Sequence, residues 1–352
     1  MAQRWKRRPE GSNWGEFGPD DEIGRLNLLT PDKVKQGVAE VREGKTFCLT
    51  LPLDFPGGNV LSPHRHPPVL RPVLQNGRAR MNLQSSLEIP GAREVVCDDI
   101  VIMHTQYSSQ WDAFAHAGYM FDADGDGVDE PVYYNGYRAG DDIVGPDDAR
   151  DAGGLGATVY SSTCVARALG IEKMAESCVQ GRGVMVDLHA HYGMTYKSVG
   201  YDDLMRVMDA DKVVVEKGDM LCLHTGIAQL LLEMDRKPDR EKIMHGGAGL
   251  DGNDRKLLQW ITDSGLAVIM ADNVAVEHVD LTKVAGRTEP FCVAPLHEHC
   301  LFKLGIHLGE LWHLTPLANW LRAHGRNRFL LTAPPLRLPG AVGSPATPVA
   351  TV

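Results

Sequence analysis

Three features of this 352-residue sequence predict an α/β fold: short β-branched apolar runs, amphipathic stretches between them, and turn residues separating the two. Runs at 184–186, 213–215, 220–223 and 266–270 are bounded by Gly or Asp and read as strands. Amphipathic stretches at 164–179, 201–210, 227–235 and 251–264 each start near a plausible cap, the first after Ser162 and Thr163. In the first hundred residues, Pro56-Gly57-Gly58, the prolines between Pro63 and Pro68, and Pro90-Gly91 interrupt runs such as 47–51. That pattern reads as strands with covering loops.

No Ser/Gly-rich or charged linker divides the chain, so one domain is expected over 1–352, with an N-terminal arm at about 1–14 and a Pro/Gly-rich tail at about 338–352. Apolar residues make up 43% and charged residues 23%, enough for a large core. A formal charge of −10 opposes binding to nucleic acid or an anionic membrane and suits a small neutral or weakly charged substrate. Arg4, Lys6, Arg7 and Arg8 are followed by no apolar region of a secretory signal, and no apolar stretch is long enough to span a bilayer. A cytoplasmic location is the expectation. The seven cysteines are scattered, never in a C-x-x-C pair, and read as buried thiols.

The segment Gln106 to His116 carries the densest chemistry. Gln110 and Asp112 are two apart and share a face on a strand, while His116, four beyond Asp112, returns to that side on a helix. A carboxylate offers hard oxygen and charge to a divalent cation, and imidazole is the commonest metal ligand. A core His bonded to a capping Asp is the alternative reading. A second cluster places His297 and His299 ahead of Glu310. On a strand the two histidines share a face, whereas on a helix they diverge by about 200°, so one of them points into a site. For Glu310 an exposed charge or helix cap is the alternative.

Asp122, Asp124, Asp126 and Gly127 open like a calcium-binding loop, but Tyr133 stands where the closing Glu belongs, and a solvated acidic turn is the better reading. His189 and His191 follow the 184–187 run, where α/β proteins place ligand groups, and are candidates for substrate contact. Trp111, Tyr107, Phe114 and Tyr119 could wall a pocket for a flat ring or simply pack the core. G-x-S-x-G, P-loop and G-x-G-x-x-G signatures are absent, which disfavours serine hydrolase, nucleotidase and dehydrogenase chemistry.

These segments resemble the cyclase family of metal-dependent hydrolases, which includes kynurenine formamidase, isatin hydrolase and trans-dienelactone hydrolase. Its hallmark, H-x-G-T-H-x-D-x-P-x-H, falls on Gln106 to His116, with Asp112 and His116 matching and Gln106 and Gln110 replacing the two earlier histidines. The longer members, with Q-W-D-A-x-A-H and a later Y-N-G-Y, are more similar: here Gln110 to His116, then Tyr134 to Tyr137. Gly181 to Val184 with Asp187, Gly218-Asp219, Thr225-Gly226, Ala271 to Asn273 with Glu277, and Pro295 to Glu310 extend the match.

The resemblance implies a swivelling β/β/α fold, with mixed sheets enclosing a metal site and helices outside, assembled as homodimers or homotetramers. It implies Asp112, His297 and Glu310 as metal ligands and His116 as proton shuttle, with Gln110 as a further ligand and Gln106, His299 and His104 as additional candidates. The Gln replacements favour one ion over two and shift preference from Zn²⁺ toward Mn²⁺. The expected activity is hydrolysis of a lactone or cyclic amide or imide; an arylformamidase-type reaction and a non-catalytic metabolite-binding protein are the alternatives.

Overall fold

The structure is a computed structural model that describes residues 3–147, 151–152, 162–279 and 288–352. A nine-stranded mixed sheet organises it. In chain order its strands are β1 (Thr46–Cys48), β2 (Gln110–Asp112), β3 (Gln180–Asp187), β4 (Met220–His224), β5 (Val268–Ala271), β6 (His307–Glu310), β7 (Arg328–Thr332), β8 (Gly343–Pro345) and β9 (Val349–Thr351). Across the sheet they run β1-β9-β7-β3-β4-β5-β6-β2-β8. The central strands β3 to β6 are parallel, and antiparallel pairs extend both sides.

Strands buried on both faces read as continuous apolar runs, and β3, β4 and β5 do so because cores lie on both sides. Val184, Val186, Leu221, Leu223, Ile269 and Leu308 enter one core. Met185, Met220, Cys222, Val268 and Met270 enter the other. Against the first face pack α3 (Tyr201–Ala210) through Leu204 and Val207 and α5 (Arg255–Ser264) through Leu257 and Ile261. α5 is capped by Asp254, whose carboxylate accepts from the amides of Lys256 and Leu257. The second face takes α2 (Ile171–Glu176) and α6 (Thr315–Ala323). α1 (Pro31–Ala39) and α4 (Ile227–Glu233) complete the longer helices.

The α/β class and the swivelling β/β/α architecture hold, with local corrections. The run at 213–215 pairs with no strand: Val213 is buried but Val214 is exposed. The stretch at 164–179 is helical only over Ile171–Glu176 and begins as a short strand, Val165–Ala166. The N-terminal segment is no loose arm, since Trp5 and Trp14 are buried and the Trp14 indole donates to Phe302 O at 2.8 Å. The Pro/Gly-rich tail is likewise built in, supplying β8 and β9. Among the cysteines only Cys222 and Cys300 are buried, and four are exposed. Among the described residues no helix is long and apolar enough to cross a membrane.

Candidate metal centre

Register places the key side chains. In the antiparallel β2/β6 pair Glu310 lies opposite Gln110 and Leu308 opposite Asp112. Side chains alternate along a strand, so Gln110, Asp112 and Glu310 share one face while Trp111 takes the other. One ligand atom each from Asp112, Glu310 and His297 lies within 4.8 Å of the others. His297 arrives from the short helix Pro295–His297, which continues as a π-helical turn, Glu298–Leu304. Because that segment is helical, His299 diverges and bonds Thr262 Oγ1 at 3.0 Å, away from the cluster.

Glu277 fixes the His297 ring. Its Oε1 lies 2.8 Å from His297 Nδ1, and its carboxylate accepts the amides of Leu296 and His297, each at 3.1 Å. The other ring nitrogen, Nε2, is thereby turned toward Glu310 Oε1 at 3.3 Å. Burial alone would lower the imidazole, but the bonds to Glu277 and Glu310 and their charges outweigh it and hold His297 up at about 10. Burial, then the charge of Asp112, pushes the Glu310 carboxyl above its ordinary range.

Gln110 Nε2 donates to Glu310 Oε2 at 3.0 Å and to Asp112 Oδ1 at 3.3 Å. His116, on the 3₁₀ turn Phe114–His116, reaches to 3.9 Å from Asp112 Oδ1 and stays 26% exposed. Asp112 Oδ2 and Gln110 Oε1 are buried without a partner among the described residues. Two adjacent buried carboxylates, that of Asp112 with an unused oxygen, beside an oriented imidazole, suit a divalent cation: the donors are hard oxygen and borderline nitrogen, and a positive ion would relieve the repulsion that lifts Glu310.

A narrow cavity opens on this face, lined by Gln106, Tyr107, Gln110 and Glu310 on one side and Leu61, Ser62 and Arg65 on the other. A roomier depression, about 770 Å³, lies beside the N-terminal segment and contains none of the candidate residues. Trp111 and Phe114 are corrections: neither walls the cavity. Trp111 packs edge-on to Trp312 at 4.9 Å in the second core, and Phe114 stacks on His307 at 3.9 Å in the first. His104 is exposed and pairs with the His66 backbone, so it replaces no missing ligand. His189 contacts Thr225 O and His191 pairs with Asp211, and neither lines the cavity. Gln106 Nε2 is buried without a partner, close to Gly343 of β8. The Asp122–Asp126 turn is closed by its own amides and by Arg7, 2.5 Å from Asp122.

Two residues were given no role from sequence. Glu277 entered the sequence match without a role, because its contact with His297 depends on a turn at Val276 with φ 59°. His307, 3.0 Å from the Asp112 carbonyl, is pushed by burial down to about 4 and stays neutral against the Phe114 ring.

Fold and geometry together define an α/β protein with a buried Asp–Glu–His centre at the end of a mixed sheet. The family model described as Putative cyclase matches residues 49–278. A crystal structure described as a novel cyclase is 30% identical, with a TM-score of 0.72, covering 97% of this chain and 99% of that one. The chain therefore belongs to the cyclase family. Isatin hydrolase A from Ralstonia solanacearum is 12% identical with a TM-score of 0.52, over 87% of this chain and 91% of that one. Isatin hydrolase A from Labrenzia aggregata bound to benzyl benzoate is 12% identical with a TM-score of 0.50, over 91% and 97%. At that identity the likeness is one of fold. No curated protein matches the chain.

Proposed function

We propose that this protein is a metal-dependent hydrolase that opens a lactone or a cyclic amide or imide. Asp112, Glu310 and His297 hold one divalent ion, Mn²⁺ or Zn²⁺, with Gln110 beside them. The observation that carries this reading is Asp112 Oδ2, a buried carboxylate oxygen with no partner next to a second carboxylate and an oriented imidazole. When bound, the ion supplies carbonyl polarisation and acidifies water.

His116 is the imidazole that adjoins the cluster and also meets solvent, so it takes the proton from the attacking water and returns it to the leaving oxygen or nitrogen. A bond forms from the water oxygen to the carbonyl carbon, the ring C–O or C–N bond breaks, and the products are a carboxylate and a tethered alcohol from a lactone, amine from a cyclic amide or amide from an imide. Gln110, already donating to both carboxylates, holds them side by side at the floor of the cavity that Glu310 lines. Fold likeness to two proteins named isatin hydrolase A supports a cyclic substrate.

Metal analysis of the purified protein beside an Asp112→Ala/Glu310→Ala variant tests the centre. About one equivalent of manganese or zinc, lost in the variant, is expected. A metal-free wild type, or equal metal in both, overturns it. A lactone and cyclic-amide screen follows, and full activity in Asp112→Ala toward any hit would reject the catalytic role.

A further inference from the structure

We propose that Gln106 is a catalytic residue whose side-chain N–H donates to the oxygen of the carbonyl under attack and stabilises the charge that gathers there. This rests on the site reading above and adds to it a group that acts on the substrate instead of on the ion.

Register places the Gln106 amide beside Asp112. In the antiparallel β2/β8 pair Gly343 lies directly opposite Asp112. Residues so paired hold their Cβ positions about 5 Å apart on one face of the sheet. A Cβ added to Gly343 would stand 2.4 Å from Gln106 Nε2. The amide therefore occupies the space next to the Asp112 side chain that Gly343 leaves free. Gln106, Gln110 and Glu310 line the same cavity.

The amide is held in one orientation. Its Oε1 accepts the Thr105 hydroxyl at 2.8 Å, and the Gln106 backbone carbonyl accepts Arg65 Nη1 at 2.9 Å. The oxygen, the one atom of this amide that could ligate a cation, is thus engaged, and the NH₂ group, a donor only, is what the side chain leaves free.

That donor has nowhere else to go. Gln106 Nε2 is buried and has no partner among the described residues. Buried donors are almost always satisfied, so one left over beside a reactive centre calls for an acceptor that a ligand brings. Neighbouring donors are spent: Gln110 Nε2 on the two carboxylates, and Tyr107 OH on Gly58 O at 2.8 Å. Asp112 Oδ2 is an unpartnered acceptor close by. One orphan suits a cation and the other suits an oxygen gaining negative charge, and hydrolysis of a carbonyl beside a divalent ion uses both.

The step balances with Gln106 giving up no proton. The water oxygen bonds to the carbonyl carbon, the π pair of the C=O moves onto its oxygen, and Gln106 donates a hydrogen bond to that oxygen while His116 takes the proton from the water. When the C=O re-forms, the ring C–O or C–N bond breaks and His116 delivers the proton to the leaving atom. A donor fixed beforehand needs no rearrangement at that moment.

The test uses the full-length protein loaded with Zn²⁺ or Mn²⁺, and δ-valerolactam, a cyclic amide that resists hydrolysis, labelled with ¹³C at its carbonyl. In Gln106→Met the infrared stretch of the bound carbonyl should move to higher frequency and affinity should fall about fivefold, the loss of one hydrogen bond, with metal content and circular dichroism unchanged. Gln106→Glu keeps an oxygen ligand but loses the donor and should behave alike. Gly343→Ala leaves Gln106 in place but crowds its amide, and should give the same loss. On any lactone or cyclic-amide hit, kcat/KM should fall about a hundredfold in these variants, most of it in kcat. Wild-type lactam affinity and turnover in all three, with metal retained, overturn the donor and leave the centre standing. Loss of metal in Gln106→Met but not in Gln106→Glu makes the residue a ligand and also overturns the proposal. A wild type that holds no metal rejects the site reading, and the proposal with it.

Discussion

Glu277 shows how a residue outside the ligand set governs it. Its carboxylate receives two backbone amides and the His297 Nδ1 proton, so the ring has one orientation and its Nε2 faces Glu310. Partners of this kind are typically worth tenfold to a hundredfold in metal affinity. Glu277→Gln, which keeps the size and an acceptor for the backbone amides, should therefore weaken Mn²⁺ or Zn²⁺ binding by about that factor in a titration; unaltered affinity would remove the orienting role. At this scale the sequence was legible where local geometry is decided locally. Alternation along a three-residue strand already separates Trp111 from Gln110 and Asp112, and Trp111 is missing from the aromatic wall for that reason, while Tyr107 lines the cavity. Glu277, by contrast, meets His297 only through a left-handed Val276, which no local pattern announces.

Elements in this fold are locked by contacts that tolerate little change. Gly183 of β3 lies under the Phe329 ring, where an added Cβ would sit 2.3 Å from Cε2. Gly183→Ala should lower the free energy of unfolding by about 1–3 kcal/mol, read from urea titration, because overpacking forces ring or strand to shift. A buried ion cluster ties α1 to β3 and β4: Asp219, fully buried, accepts Arg182 Nε at 2.8 Å and Nη2 at 2.9 Å, and Lys33 Nζ at 3.0 Å. Asp219→Ala would leave two buried cations with only the half-exposed Glu216 and should cost about 3–5 kcal/mol in the same assay. Strands such as β4 and β5 were legible because both faces are apolar. β8 and β9 were not, since three residues are too few to carry a periodicity and these become strands because β2 and β7 accept them.

At the scale of the molecule, the C-terminal ends of the parallel strands carry a second buried polar network, whose effect is on stability. Burial pushes the Asp187 carboxyl up, but the bonds and charges of His224 and Arg322 outweigh it and hold it at about 2. Burial lowers His224, but its 2.7 Å bond to Asp187 and the charge of Asp272 outweigh that and raise it above its ordinary 6.5. A depressed carboxylate adds stability above its unfolded value of about 3.8 and loses it as pH falls through 2. A raised imidazole adds its full stability below 6.5 and loses it as pH rises through its folded value. The melting-temperature gap between wild type and Asp187→Asn should thus be widest between about pH 4 and 6.5 and narrow on either side; a gap independent of pH would contradict the pairing.

Strand β2 lies between β6 and β8, so Asp112 is bonded on one side to a strand at 307–310 and on the other to one at 343–345. During synthesis the carboxylate of Asp112 therefore waits 195 residues before the first of these neighbouring strands begins. The centre cannot form from the segment around Asp112 alone, because its floor waits for strands far along the chain, and pairings of such long sequence separation are slow to close. Metal captured before that moment would meet loose ligands only, so loading belongs after the chain has folded.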